Sequence, residues 1–194
     1  SFSYQNAADP LRRMALDHVT MDIPAGSFAA LVGPSGGGKS TAGQLLARFW
    51  DMESGAISVG GKDIRDYSTE ALMDTVAFVF QDTYIFAESA FDNIAMHRQV
   101  SRAEVERAAK AARCHEFILS FPDGYDTKLG DGGHKLSGGE AQRIAIARAI
   151  LKDAPIVVLD EAMAFTDAEN ELALREGMAE LLNGKTVLMI AHRL

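Results

Sequence analysis

Several features are scarce in this chain, and each absence removes a class of protein. Cys114 is the single cysteine among 194 residues, so neither a disulfide framework nor a cysteine-based zinc site can form. The 19 Lys and Arg residues against 27 Asp and Glu residues give a net charge of −8, which argues against a nucleic-acid-binding surface. No stretch approaches about 18 consecutive apolar residues, the length needed to span a bilayer.

What remains is the composition of a globular domain, with 47% hydrophobic and 24% charged residues. Four short apolar runs predict buried strands, at 26–32, 76–80, 156–159 and 186–190. A half-exposed strand is also predicted at residues 57–59. Ser101 and Glu104 form a capping-box pattern that predicts a helix over 102–113, and further helices are predicted around 144–150 and over 168–182.

The order of these elements predicts an α/β fold. Strands alternate with helices in the first and last thirds, which favours a mainly parallel sheet covered by helices. The middle of the chain is predicted to be mostly helical, as a sub-domain inserted into the core. We therefore expect a core formed by 1–81 and 151–194 and a helical sub-domain over 82–150. Both ends are expected to be cropped from a longer polypeptide.

A glycine-rich loop follows the first predicted strand. Residues 33–40 fit the pattern G-x-x-x-x-G-K-[ST], and Thr41 follows. Glycines let backbone N–H groups point inward around an anion, and the helix that begins near Lys39 adds the positive end of its dipole. Lys39 supplies a cation for phosphates, and the Ser40 hydroxyl is a hard oxygen ligand suited to Mg²⁺. The predicted phosphate-binding residues are Gly33, Ser35, Gly36, Gly37, Gly38, Lys39, Ser40 and Thr41.

Two acids follow the apolar run at 156–159. Asp160 and Glu161 come directly after a predicted buried strand, and ligands of doubly wound sheets bind at the carboxyl ends of the strands. Asp160 is predicted to hold Mg²⁺, directly or through water. Glu161 is predicted to act as the general base that activates the attacking water.

A third motif brings a family resemblance. Residues 136–140 read Leu-Ser-Gly-Gly-Glu, followed by Gln142 and Arg143. With the two motifs above, and in the same order, this pattern resembles the nucleotide-binding domain of ABC transporters over essentially the whole chain. The resemblance implies a P-loop NTPase fold with a RecA-like core and a small antiparallel β part near the N-terminus. Glu140 stands where the family usually has Gln, and its charge is expected to weaken nucleotide affinity slightly.

The resemblance also implies roles for residues outside these motifs. Tyr4 matches the aromatic that stacks on adenine, although a simple strand aromatic remains the alternative. Gln81 matches the glutamine that reaches Mg²⁺ and senses the γ-phosphate, and Asp167 matches the aspartate of the D-loop. His192 matches the histidine that contacts the γ-phosphate and the catalytic glutamate. Lys39, Glu161 and His192 are therefore the expected catalytic residues.

Two further stretches resemble exporter-type members of the family. These are Gln81–Phe86, followed by Phe91–Ile94, and Lys128–Gly133 with Asp131. Tyr84, Ile85 and Phe86 are candidates for contact with the membrane domains, with burial in this domain's own core as the alternative. The D-loop departs from the family pattern at Ala164 and Thr166, which puts the cross-talk between two ATP sites in doubt. The sequence of residues 164–170 resembles that of exporter-fold transporters that handle siderophores.

The resemblance implies an ATPase that powers transport at the cytoplasmic face of the membrane. Two such domains, identical or different, are expected to sandwich ATP and Mg²⁺, with Ser137, Gly138, Gly139 and Glu140 of one covering the nucleotide of the other. Six membrane helices are expected on the same polypeptide, before Ser1. The alternatives are a non-transport ABC ATPase, disfavoured because only 56 positions separate Gln81 from Ser137, and a regulatory module that binds ATP without turnover.

Overall fold

The structure is a computed structural model that describes residues 1–2, 15–80, 82–160 and 168–191, with the backbone alone for 168–170. The strands are β1 Phe28–Val32, β2 Ser58–Val59, β3 Lys62–Asp63, β4 Val76–Phe80, β5 Ile156–Asp160 and β6 Thr186–Ala191. The helices are α1 Lys39–Leu46, α2 Thr69–Thr75, α3 Ala90–Ala95, α4 Arg102–Ala111, α5 His115–Leu119, α6 Gly138–Lys152 and α7 Ala168–Leu182. Short 3₁₀ helices lie at Ile64–Asp66 and Gly124–Asp126.

Four strands form a parallel sheet in the order β1-β6-β5-β4. β5 is an inner strand, and its residues 157–159 are all buried, as its continuous apolar sequence predicts. β2 and β3 form a separate antiparallel hairpin. The predicted α/β class, the mainly parallel sheet and the small antiparallel part are therefore confirmed.

Several helices begin at side-chain caps that the sequence encodes. At α4 the backbone N–H of Ser101 donates to Glu104 Oε2 over 2.7 Å, and the backbone N–H of Glu104 donates to Ser101 Oγ over 3.3 Å. This reciprocal pair satisfies two N–H groups that a helix start otherwise leaves unpaired. The predicted helix is confirmed, although it ends at Ala111 and not at 113.

The helical middle of the chain shares its core with the sheet. One buried cluster contains Val79 and Val157 from the sheet together with Ile94, Val105 and Ile144 from α3, α4 and α6. α6 therefore packs against β4, and α3 and α4 pack against α6. Among the described residues, no helix is both long enough and apolar enough to cross a membrane.

Cys114 belongs to this core. It is fully buried, and it directly precedes α5 as the N-cap residue of that helix. Burial raises the pKa of its thiol to about 12. The thiol is therefore neutral at physiological pH, consistent with a packing role.

Candidate phosphate and metal site

The glycine-rich loop connects β1 to α1, as the sequence predicts. β1 ends at Val32 and α1 begins at Lys39, so residues 33–38 turn between the carboxyl end of a strand and the start of a helix. Gly36 and Gly38 adopt φ angles of 78° and 79°, a left-handed conformation that side chains disfavour. The loop thus has the backbone shape in which N–H groups can surround an anion.

Gly38 has a second, steric reason to be glycine. A Cβ atom built at this position would lie 2.2 Å from the carbonyl oxygen of Ala15 and 2.9 Å from Leu16 Cδ2. The segment at 15–16 therefore lies directly against the loop. By contrast, a Cβ atom at Gly36 would meet nothing within 4 Å.

Lys39 points back into the loop. Its Nζ donates to the carbonyl oxygens of Gly33 and Pro34, over 2.8 Å in each case. The ammonium group is thus held at the mouth of the loop by neutral carbonyls. These are weaker partners for a cation than phosphate oxygens, so Lys39 can exchange them for a phosphate at little cost.

Ser40 and Asp160 meet although 120 positions separate them. Ser40 lies in the first turn of α1, Asp160 is the last residue of β5, and the Ser40 hydroxyl donates to Asp160 Oδ1 over 3.3 Å. Two ligands in adjacent positions around an octahedral Mg²⁺, each about 2.1 Å from the ion, are separated by about 3 Å. The two oxygens therefore have the chemistry and spacing to share one Mg²⁺.

Gly43 helps to bring this pair together. A Cβ atom at Gly43 would lie 3.2 Å from Ile190 Cδ1 and 3.4 Å from Val158 Cγ1. The absence of a side chain lets α1 lie close to β5 and β6. Thr41, next to Ser40, is buried at the same contact.

The turn at 137–140 begins α6. The backbone N–H of Ser137 donates to Glu140 Oε2 over 2.8 Å, and the backbone N–H of Glu140 donates to Ser137 Oγ over 3.3 Å. Glu140 thus completes a capping box, a role that Gln fills equally well. Ser137 and Gly138 are exposed, and within the described part of the chain no hydrogen bond joins 137–140 to the loop at 33–40. These residues face outward, where a second molecule can reach them.

Two polar side chains of α6 make contacts that the sequence patterns did not predict. Gln142 is 2% exposed; it accepts a hydrogen bond from Thr83 Oγ1 over 2.9 Å and donates from Nε2 to the Phe80 carbonyl over 3.3 Å. Arg148 donates to the Tyr84 carbonyl over 2.8 Å and to the Asn93 carbonyl over 2.6 Å. Burial lowers the pKa of Arg148 to about 10, which leaves it protonated at neutral pH. In the sequence, the available signal for these contacts was the presence of polar residues among the isoleucines of α6.

The three candidates for contact with membrane domains differ in their exposure. Tyr84 is 71% exposed, whereas Ile85 and Phe86 are partly buried and Ile85 packs on the core. Five predicted site residues, Tyr4, Gln81, Glu161, Asp167 and His192, lie outside the described residues, as do Ala164 and Thr166. Their roles stay predictions.

Comparison with known proteins decides the family. The family model described as ABC transporter matches residues 16–164, more than half of the chain. The chain belongs to the ABC transporter family. ATP binding, predicted from the motifs, follows from this membership.

Relatives and solved structures agree with the family match. The chain is 46% identical to an ATP-dependent lipid A-core flippase of Vibrio parahaemolyticus and 45% identical to a putative multidrug export ATP-binding/permease protein, YgaD, of Bacillus subtilis. Each match covers 100% of this chain and 33% of the relative. A solved bacterial Atm1-family ABC exporter with ATP bound matches with a TM-score of 0.87 and 41% identity, over 99% of this chain and 33% of that one.

These matches confirm the predicted resemblance to exporter-type ABC ATPase domains. The chain spans about a third of the length of the relatives that it matches. The resemblance to siderophore transporters is untested and stays a prediction.

Proposed function

We propose that this ABC domain binds and hydrolyses ATP to power translocation of a substrate across a membrane by an exporter-type transporter. The observation that supports this best is the contact between Ser40 and Asp160 beside the glycine-rich loop. It places beside the loop a hydroxyl and a carboxylate, oxygen groups that would hold Mg²⁺. The whole chain then forms one nucleotide-binding domain, with 1–81 and 151–194 as the core and 82–150 as the helical sub-domain.

In this proposal the loop binds the triphosphate first. Its backbone N–H groups donate to the phosphate oxygens, and Lys39 exchanges the Gly33 and Pro34 carbonyls for them. Ser40 and Asp160, with Gln81 as a further predicted ligand, hold Mg²⁺. When bound, Mg²⁺ neutralises charge that develops on the phosphates. Stacking of adenine is assigned to Tyr4 by resemblance alone.

Hydrolysis is assigned to two residues that follow strands. Glu161, next to Asp160, would accept the proton of the attacking water, and His192, after β6, would contact the γ-phosphate. β5 and β6 are neighbours in the sheet, and their carboxyl ends meet at one edge. That shared edge is also where Ser40 lies.

A second nucleotide-binding domain completes the proposed site. Ser137, Gly138 and Gly139 of one domain would cover the ATP bound to the other, and Asp167 would lie at their junction. The exposure of Ser137 and Gly138 supports this assignment. Transmembrane domains are proposed on the same polypeptide, with this domain at the cytoplasmic face of the membrane. Tyr84 is the proposed contact with them, because its side chain faces outward.

The test is a Glu161→Gln variant of the chain, compared with the unaltered chain and with Lys39→Ala. Blocking proton removal should trap ATP between two domains, so solution mass should double with Mg-ATP in Glu161→Gln and stay monomeric in Lys39→Ala. Phosphate release should be lost in both variants. A persistent monomer that still binds ATP would contradict self-pairing. Absence of phosphate release from the unaltered chain would favour a regulatory module that binds ATP without turnover.

A non-transport ABC ATPase is the weaker alternative. Proteins of that kind carry a long coiled coil between the positions that correspond to Gln81 and to the glycine-rich turn at 137–139 of this chain. The described residues in that interval form α3, α4 and α5, none longer than the 10 residues of α4. These short helices pack into one core with the sheet, which leaves no extended arm.

A further inference from the structure

We propose that Gln142 is a positioning residue that fixes the glycine-rich turn of α6 to the metal-binding edge of the sheet. The inference rests on the proposed function, because it takes Ser40 and Asp160 as the metal ligands. It concerns a residue that does not itself touch nucleotide or metal.

The Gln142 amide contacts two different residues through its nitrogen and its oxygen. Its Nε2 donates to the carbonyl of Phe80, and its Oε1 accepts from Thr83 Oγ1. Phe80 and Thr83 stand on either side of position 81 in the sequence. One amide thus joins α6 to the chain before and after the glutamine that the family resemblance predicts as a metal ligand.

The register of the sheet links Phe80 to the proposed metal ligands. Phe80 is the last residue of β4, and its partner in the neighbouring strand is Asp160. Asp160 in turn accepts a hydrogen bond from the hydroxyl of Ser40. A continuous path of contacts therefore runs from α6 through Gln142 and Phe80 to the proposed metal ligands.

The other end of the path is the turn at 137–139. Ser137 is the N-cap of α6, and Gln142 lies five positions later, in the second turn of this continuous 15-residue helix. The turn that would cover a partner's ATP and the edge that would hold this chain's own metal ion are thus connected by one side chain. A shift of α6 moves both.

Packing alone does not require glutamine at position 142. Its neighbours in α6 include Ile144 and Ile146, which are fully buried, and an apolar side chain could fill the same space. Buried polar groups are costly unless paired, so an amide whose nitrogen and oxygen both have a partner here indicates a defined geometry.

The test compares two contacts between the same helix and the same strand. Gln142→Met keeps the length of the side chain and removes both hydrogen bonds. Lys152→Met is the matched control, because Lys152 Nζ donates to the carbonyl of Val76 over 2.7 Å, at the far end of β4. Thr83→Val removes only the Thr83 donor, and provides a conservative second variant if Gln142→Met folds poorly.

Two quantities are measured in the full-length protein that carries this chain, in lipid nanodiscs. One is the affinity for a non-hydrolysable ATP analogue with Mg²⁺ and with EDTA. The other is the Mg²⁺ concentration that gives half-maximal ATP turnover. Loss of a residue that orients metal ligands typically costs about 10-fold or more in metal affinity.

Gln142→Met should therefore raise the Mg²⁺ requirement about 10-fold, and Thr83→Val about 3-fold, with metal-free affinity for the analogue unchanged. Lys152→Met should leave both quantities unchanged. The proposal is overturned if Gln142→Met and Lys152→Met behave alike, or if Gln142→Met weakens metal-free binding as much as metal-dependent binding. Failure of the unaltered protein to turn over ATP would instead refute the proposed function, and this inference with it.

Discussion

Replacement of Gly38 by alanine tests whether the phosphate loop is shaped by backbone conformation alone or also by its neighbours. Gly38 has a φ of 79°, and a Cβ atom there would lie 2.2 Å from the carbonyl oxygen of Ala15. Gly36 has nearly the same φ, 78°, but a Cβ atom there would meet nothing within 4 Å. The two positions therefore share the conformational penalty and differ in the steric one.

The magnitudes follow from these two terms. Holding alanine in the left-handed region costs about 1–2 kcal/mol, and this term applies to both variants. At Gly38 the oxygen of Ala15 must also retreat by about 1 Å, and overpacking of this kind costs about 1–3 kcal/mol more. We expect Gly36→Ala to lose about 1–2 kcal/mol of unfolding free energy and Gly38→Ala about 2–5 kcal/mol.

The assay is urea unfolding of the chain without nucleotide, followed by circular dichroism. Both glycines belong to the proposed phosphate site, so stability without nucleotide is the measurement that separates packing from ligand contact. Equal destabilisation of the two variants would refute the contact between Gly38 and Ala15. An unchanged stability of Gly36→Ala would refute the left-handed conformation at that position.

Two further predictions concern Glu140 and Cys114. Glu140→Gln keeps the capping box with Ser137, so the unfolding free energy should not change. Removing a negative charge near the proposed phosphate should strengthen ATP-dependent pairing of two domains about twofold, the effect of one unit charge about 8 Å away in water. An unchanged pairing affinity in a titration of solution mass against ATP would contradict this prediction. Cys114 should resist iodoacetamide in the folded chain and react once the chain is unfolded in urea. Because folding raises the pKa of this thiol from 9.0 to about 12, the thiol of the unfolded chain ionises first as the pH rises. The contribution of Cys114 to stability should therefore be complete below pH 9 and decline above it. The check is the unfolding free energy of the unaltered chain and of Cys114→Ala between pH 8 and 11, and the same pH dependence in both would contradict the prediction.

Much of the fold could be predicted because the decisive signals are local. The run at 76–80 is apolar and bounded by polar residues, and it forms β4 over those five residues. The prediction of α7 over 168–182 likewise matches the structure. The end of α1 is different: the helix ends at Leu46 although the apolar Phe49 follows at helical spacing, and Arg48 takes a φ of 56°. The end of a short helix depends on its tertiary contacts more than on its own sequence.

The candidate site divides in the same way. The meeting of Ser40 and Asp160 could be expected, because the carboxyl ends of parallel strands converge at one edge of a sheet and the loop before α1 starts there. The contacts of Gln142 and Arg148 could not, because each joins positions more than 50 residues apart through a side chain. No periodicity specifies which buried carbonyl a glutamine or arginine will reach.

The charge of the chain bears on how it can hold a triphosphate at all. With a net charge of −8, this chain repels an anionic ligand at long range, and attraction must come from groups within a few ångströms. In the loop at 33–40 the only cationic side chain is Lys39; the remaining donors are backbone N–H groups and hydroxyls. Mg²⁺ held by Ser40 and Asp160 would supply the rest of the positive charge. The proposed dependence of this site on Mg²⁺ would therefore follow from the composition of the chain, and contacts that position Asp160 would matter more here than in a basic protein.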